Sequence, residues 1–425
     1  IPKETMKKKE LAIGRDVRTA VAMSTATAGK AVFFSGITVA IGLMGMLFFK
    51  NTSLPSLGIG GTVAVSIAMV YSTIVLPAVM SILGKRVDKG KVPFAFNLEA
   101  REDGLWANIA NKVMAHPWKV LIPVLILLVG AGAPFLYAEF SLSSWSALPP
   151  DDESRLGKEM IDDTWPEQSS NQIFLVIELD GADVFEENNL RAQYQYIRTQ
   201  ISDDRVLTAN GIGLPDGSMN ESQVVSFWQA PDEYLNETEI ALRNMIRDSF
   251  TNGDVTYIVL NLAGEQTSVA SRNVVEDIRD DRHILTDQLS GQNDYLAVAG
   301  FAAYNADTLN SIAENLPTAL AFIFIATSIL IFIQVRSVII PIKAIIMNIL
   351  SVSASFGMLV WVFQWGYGDV LLNFTAQPID AGNPVIMFCI VFGLSMDYEV
   401  LMLSRIHEEW ERTGDNTLAV ANGLQ

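Results

Sequence analysis

The chain has 425 residues, half of them apolar, with 47 acidic against 29 basic side chains and a formal net charge of −18. That balance argues against a nucleic-acid partner, and a single cysteine, Cys389, excludes an intrachain disulfide. High apolarity and high charge coexist only when they are segregated, so the chain reads as a membrane protein carrying a soluble block.

Residues 1–30 read as a cytoplasmic amphipathic or loop-helix segment. Their opening, IPKETMKKKE, has clustered lysines and lacks the apolar core of a signal peptide. Residues 31–84 hold two transmembrane helices. The first, 31–49, is about 28 Å of helix, a match to the hydrocarbon thickness. Ser35, Thr38, Gly42 and Gly45 share one of its faces, a spacing that lets another helix approach closely. The turn NTSLPS leads to the second, 57–83, where Gly60, Gly61 and Ser66 again suggest close packing and Pro77 predicts a kink. Residues 85–117 form a basic cytoplasmic linker in which LWANIANKVMAHP reads as a surface helix.

Residues 118–138 are a third span. Residues 139–316 carry 32 Asp and Glu against 10 Lys and Arg, which suits the extracytoplasmic side. Residues 317–405 hold three more spans, near 316–335, 338–363 and 383–405, and residues 406–425 are a cytoplasmic tail. The loop 364–382 has Asp369 and Asp380 but no Lys or Arg, so it falls outside with the acidic block.

Inside that block, residues 172–179, 223–229, 255–262 and 295–300 read as strands. Residues 184–201, 237–250 and 268–289 read as helices. The order βαββαβ gives a ferredoxin-like unit. Residues 139–171 lead in, with turn signals at Pro149, Pro150 and Pro166, and the last helix, from about Ala302, runs on into the fourth span. Trp145, Trp165 and Trp228 read first as core, with a hydrophobic ligand path as the alternative.

The chemistry concentrates in residues 383–409, NPVIMFCIVFGLSMDYEVLMLSRIHEE. Asp397 and Tyr398 stand together in an apolar run. A carboxylate there costs about 2.5–3.5 kcal/mol even on lenient insertion scales, which marks it as a proton or ion site. The plainer alternative is a structural cap or interhelical pair. Glu399, about 100° further round the helix, is either a third polar member or the lining of a wet cavity. Asn348, Ser351 and Ser355 fall on one face of the fifth span, as interhelical hydrogen-bond glue or as hydration near Asp397.

Metal ligands and cofactors are not expected: His116, His283 and His407 are scattered, and no HExxH or Cys/His pattern occurs. No P-loop, GxSxG elbow or kinase set occurs, so an ATP-driven pump or a serine hydrolase has no support. GIGLPDG, residues 211–217, reads as a loop. Asn220-Glu-Ser and Asn236-Glu-Thr match the glycosylation pattern, which is common by chance. Residues 10–22, ELAIGRDVRTAVA, match 409–421, EWERTGDNTLAVA, at a separation of 399. Asp16 then pairs with Asp415, and the chain reads as one repeat period cut from a longer two-repeat protein.

GLSMDYEVLMLSR, residues 393–405, resembles the Asp-Tyr motif of the MMPL (mycobacterial membrane protein large) family of the resistance-nodulation-division (RND) superfamily. AVFFSG, TIVLPAVMSILGKRVD, AVAGFAAYNADT and LLNFTAQPIDAGNPVIMFCIVFGLSMDYEV extend the resemblance over nearly the whole chain. It implies an α-helical bundle of six spans with an inserted α+β ferredoxin-like extracytoplasmic porter domain, in a bacterial inner or plasma membrane. It also implies proton-driven export of a hydrophobic or lipid substrate. Two Asp-Tyr pairs, one from each repeat, would relay protons. Asp397 and Tyr398 carry over as one pair, and the other would lie in a first repeat that this chain lacks. Two other readings stay open: a Sec-type protein-translocation accessory, and a lipid-sensing membrane domain without a transport cycle.

Overall fold

The structure, a computed structural model, describes residues 17–84, 112–165 and 171–423. The lysine-rich start, most of the basic linker and Pro166 lie outside the described residues, as do the side chains of Asp397 and Glu399.

The first helices are α1 (Val17–Ser24), α2 (Lys30–Met44), α3 (Leu54–Val70), α4 (Leu76–Leu83) and α5 (Pro117–Gly132). Then come β1 (Phe140–Ser141), α6 (Glu153–Thr164), β2 (Gln172–Glu178), α7 (Glu187–Ile201) and β3 (Val206–Asn210). Next are α8 (Glu221–Gln229), α9 (Glu237–Phe250), β4 (Thr251–Asn252), β5 (Val255–Leu262), α10 (Val269–Asp280), α11 (His283–Thr286) and β6 (Tyr295–Gly300). The chain closes with α12 (Phe301–Val335), α13 (Ile339–Leu359), α14 (Asp369–Leu372), β7 (Ile379–Asp380), α15 (Gly382–Thr413) and α16 (Asn416–Gly423). Contacts divide these into a mixed unit, Glu139–Asn310 with Val362–Asp380, and a helical unit made of the rest.

Among the described residues, four helices are long and apolar enough to cross a membrane: Leu54–Leu83, Pro117–Tyr137, Phe301–Gln334 and Ile339–Gln364. Two apolar helices are shorter, Val32–Phe48 and Gly382–Met396. α15, which contains the second, is one helix of 32 residues.

The span Leu54–Leu83 is interrupted by a π turn at Tyr71–Val75, where the Leu76 amide donates to the Tyr71 carbonyl. Pro77 follows it. Proline lacks an N–H, and its ring crowds the carbonyl four residues back, so the extra residue of a π turn relieves the clash. The close approach of α3 to α2 comes through Gly58, where a Cβ would sit 2.8 Å from the Leu43 carbonyl oxygen. Gly61 lies against the Leu43 side chain, whereas Gly60 faces open space.

The mixed unit is a sheet in the order β3-β5-β2-β6, antiparallel throughout, with β4 added to β5. Ile173, Leu175 and Ile177 alternate along β2 and are fully buried, with Leu175 opposite Ile258 and Ile173 opposite Leu260 on β5. Period-two alternation places one whole face in the core. Leu190 and Ile197 of α7 and Val274, Val275 and Ile278 of α10 belong to the same core. Each such side chain contributes about 1.5–3 kcal/mol of burial.

Two expected elements differ. Residues 223–229 are not a strand: they belong to α8. Val-Val-Ser-Phe-Trp has strand-like composition, but Asn220 and Gln223 form a capping box that starts a helix, each side chain accepting from the other's backbone amide at 3.0 and 2.9 Å. Val224, Val225 and Trp228 then bury at helical spacing. The missing strand is β3, a five-residue piece that precedes the expected one. The helix expected over 268–289 is broken into α10 and α11. Asn236 caps α9 with the same box, so both apparent glycosylation triplets mark helix starts. Of the three tryptophans, Trp228 is core and donates to the Ile212 carbonyl at 2.8 Å, while Trp145 and Trp165 are exposed.

Candidate functional site

The site is built on α15. Val385, Cys389, Phe392 and Met396 form its buried row, packed into a core with Leu43, Met46 and Ile323. Phe388, Phe392 and Phe324 make a ring cluster beside them, with centroids 5.2–6.1 Å apart.

α15 crosses α2 at backbone level. A Cβ on Gly42 would strike the Cys389 carbonyl, and one on Gly393 would lie 2.9 Å from the Val39 Cα. Only glycine permits that approach at both places. The register is antiparallel: Gly42 meets Cys389, and Thr38 and Val39 meet Gly393. One further turn sets Ser35, half-buried on the small-residue face of α2, at the level of position 397. The expected packing face of α2 is thus seated against α15 at residues 389 and 393.

The polar groups of the fifth expected span are sorted by the fold. Asn348 is buried, and its Oδ1 accepts from the Ser395 hydroxyl of α15. Its Nδ2 is buried with no hydrogen-bond partner among the described residues. An amide left so costs about 1–3 kcal/mol. Ser351 and Ser355 are exposed, and the Ser355 hydroxyl donates to the Ser351 carbonyl at 3.2 Å. Ser395 lies two residues before Asp397, about 200° away around the helix. Tyr398 is 73% exposed.

Beyond Tyr398, α15 continues to Gly414, which adopts a left-handed φ of 66° and ends it. Asp415 then caps α16, accepting from the amides of Thr417 and Leu418 at 2.8 and 3.1 Å. α16 folds back on α15 through Ala419 and Ala421, with Gly423 against Ile406. Arg412 and Asn422 hold the Glu409 carboxyl below the usual range.

In the mixed unit a cleft of about 230 Å³ is lined by Ser144, Trp145, Arg155, Lys158 and Glu265 among others. Sequence reading missed it because its walls lie more than a hundred residues apart. The Ser144 and Ser146 hydroxyls donate to Glu265 Oε2 at 3.0 and 3.3 Å. Among the described residues no three His, Cys, Asp or Glu side chains group as a metal site.

The chain matches the MMPL family over residues 6–120 and 146–425. It is 26% identical over 419 residues to a mycolic acid-containing lipids exporter, MmpL11, of Mycolicibacterium smegmatis, covering 98% of this chain and 40% of that protein. It is 26% identical over 444 residues to the trehalose monomycolate exporter MmpL3 of the same organism, with the same coverages. The chain therefore spans about two fifths of these relatives. The hedgehog release protein Disp of the water bear Hypsibius dujardini shares its fold at a TM-score of 0.55 and 12% identity, over 96% of this chain and 53% of Disp.

Proposed function

The chain belongs to the MMPL family, and from that premise we propose that it is part of a proton-motive-force-driven RND-type exporter of lipidic or hydrophobic compounds. It contributes six spans in a bacterial cell membrane, the two short apolar helices included, and residues 139–316 form a ferredoxin-like extracytoplasmic porter domain. The strand order β3-β5-β2-β6 supports that last assignment, because a split βαβ with one strand inserted gives this order.

Asp397 and Tyr398 relay the proton. The observation that carries this reading is the glycine-seated crossing of α15 and α2, one turn from Asp397. A carboxyl group placed beside such a crossing responds to small changes in how the helices meet. Binding a proton removes its charge, and with it most of the cost of an apolar surrounding. Proton occupancy then favours one arrangement of the helices and release favours the other, which is the requirement for alternating access. Each inward proton supplies about 2.3 kcal/mol per 100 mV of membrane potential. Tyr398, with its ring uncovered, is free to donate to a carboxylate on a facing helix of the other repeat. The unpartnered Nδ2 of Asn348 is a reserve donor that becomes satisfied in one of the two arrangements.

The lipidic substrate class is inferred from the relatives, two of which are named as exporters of mycolic-acid lipids and of trehalose monomycolate. In the full-length protein, Asp397→Asn should abolish export while the protein is still made and inserted. Export at the wild-type rate by that variant would remove Asp397 from the mechanism.

A further inference from the structure

We propose that residues 361–374 form an interfacial anchor, a rigid aromatic and aliphatic collar that inserts into the lipid surface at the outer end of α13. The inference rests on α13 being a membrane span, and it does not rest on proton coupling or on export.

The segment reads WVFQWGYGDVLLNF. Leu371 is 88% exposed, Tyr367 67% and Leu372 55%, and Trp361, Phe363 and Trp365 are also exposed. Six large apolar side chains within twelve residues are more than scattered surface hydrophobics, and such concentrations mark a protein or membrane contact.

The backbone that presents them is fixed. The Gln377 amide donates to the Phe363 carbonyl at 3.2 Å, and the Phe363 and Phe374 rings stand 5.2 Å apart. The Asn373 and Leu372 amides close the short α14, donating to Asp369 and Gly368 at 2.8 and 3.0 Å. Gly366 and Asn373 take left-handed φ values of 76° and 51°, which turn the chain sharply at each side of α14. The segment is also tied to chain more than two hundred residues away. Gln364 Oε1 accepts from the Glu139 amide at 2.9 Å, and Asn373 Nδ2 donates to Asp151 at 3.0 Å. β7 pairs with β1 just beyond it. The backbone that carries the exposed Leu371 and Leu372 is therefore braced on both sides.

Position and composition select lipid as the occupant. The span Ile339–Gln364 ends inside the segment, and the chain enters α15 at Gly382. The loop is thus flanked in sequence by an apolar helix on each side. Trp and Tyr concentrate where a span meets the headgroups, because their rings tolerate one wet end and one apolar end. The whole stretch from Gln364 to Gly382 contains no Lys or Arg, and the one charged side chain within residues 361–374 is the exposed Asp369, which has to stay at the wet level of the headgroups.

The test uses the full-length protein in lipid nanodiscs, free of other reactive thiols, with a nitroxide label at Leu371→Cys and separately at Leu372→Cys. Tyr234→Cys, exposed on the mixed unit, serves as the aqueous reference. The expected result is that both loop labels collide more with oxygen, which partitions into lipid, than with a water-soluble nickel chelate, while position 234 shows the reverse. A loop label that behaves like position 234 overturns the proposal. So does a label shielded from both reagents, which would show the loop covered by protein, either another part of the chain or a second copy. The Asp397→Asn protein should give the same lipid signature, so failure here and failure of the exporter reading are separable.

Discussion

The helical unit and the mixed unit are stabilised by opposite means. In the helical unit the closest contacts are made where side chains are absent: Gly42 and Gly393 let α2 and α15 touch at their backbones, and Gly58 does the same for α2 and α3. In the mixed unit the contacts come from large alternating side chains on β2 and β5, from capped helices, and from ion pairs such as Arg205 with Asp203 and Asp277. The difference follows from the solvent. In lipid, apolar surface gains little by leaving its surroundings, so fit and dispersion decide. In water, burying Ile258 or Leu175 is itself the driving force.

The contrast can be broken most sharply at Gly393. Replacing it by Leu has to push α2 away from α15, and overpacking of that kind costs about 1–3 kcal/mol or more. The expected outcome is a detergent-solubilised protein with lowered thermal stability. Unchanged melting would mean that the crossing is loose. Next comes Ile258→Ala in the central strand, which should cost about 2–5 kcal/mol. Hydrogen exchange should show that loss in β2 and β5, with protection of α15 amides unchanged. A smaller effect is expected of Asn220→Ala, about 1 kcal/mol through the lost cap, read as faster exchange at the first turn of α8.

The smallest effect tests burial without a partner. Burial pushes the Tyr196 phenol up to about 12, with the Asp281 charge adding to the shift, and its hydroxyl has no hydrogen-bond partner among the described residues. The folded state thus prefers the protonated phenol. That contribution is intact below pH 10 and is lost as pH rises toward 12. Tyr196→Phe should leave stability near neutral pH unchanged or slightly higher, and should flatten its alkaline decline. An unaltered alkaline limb would locate the sensitivity elsewhere.

The sequence made these two regions legible to different degrees. β2, β5 and β6 could be read because burial alternates along apolar, β-branched runs. β3 could not, since Val-Leu-Thr-Ala-Asn is short and mixed, and α8 was masked by strand-like residues whose conformation is decided by a cap three positions upstream. In the membrane, apolar length was plain, and the expected face of Ser35, Thr38, Gly42 and Gly45 meets α15 at Thr38 and Gly42. Its partner was not readable, because nothing local pairs Gly42 with Cys389 or Asn348 with Ser395, which is 47 residues away. Asp397 and Tyr398 were visible because a charge in an apolar run is costly. The Ser144–Glu265 cleft gave no such signal, as each of its residues is ordinary on a soluble surface.

The π turn at Tyr71–Val75 amounts to one surplus residue stored in the middle of a span. Removing a residue from an unbroken helix swings everything beyond it by about 100° and shortens it by about 1.5 Å. Removing one inside this turn instead restores ordinary winding and leaves both flanking faces in place. Single-codon deletions scanned along the span should therefore be tolerated best here, which makes this the point where the span can change length without losing its neighbours.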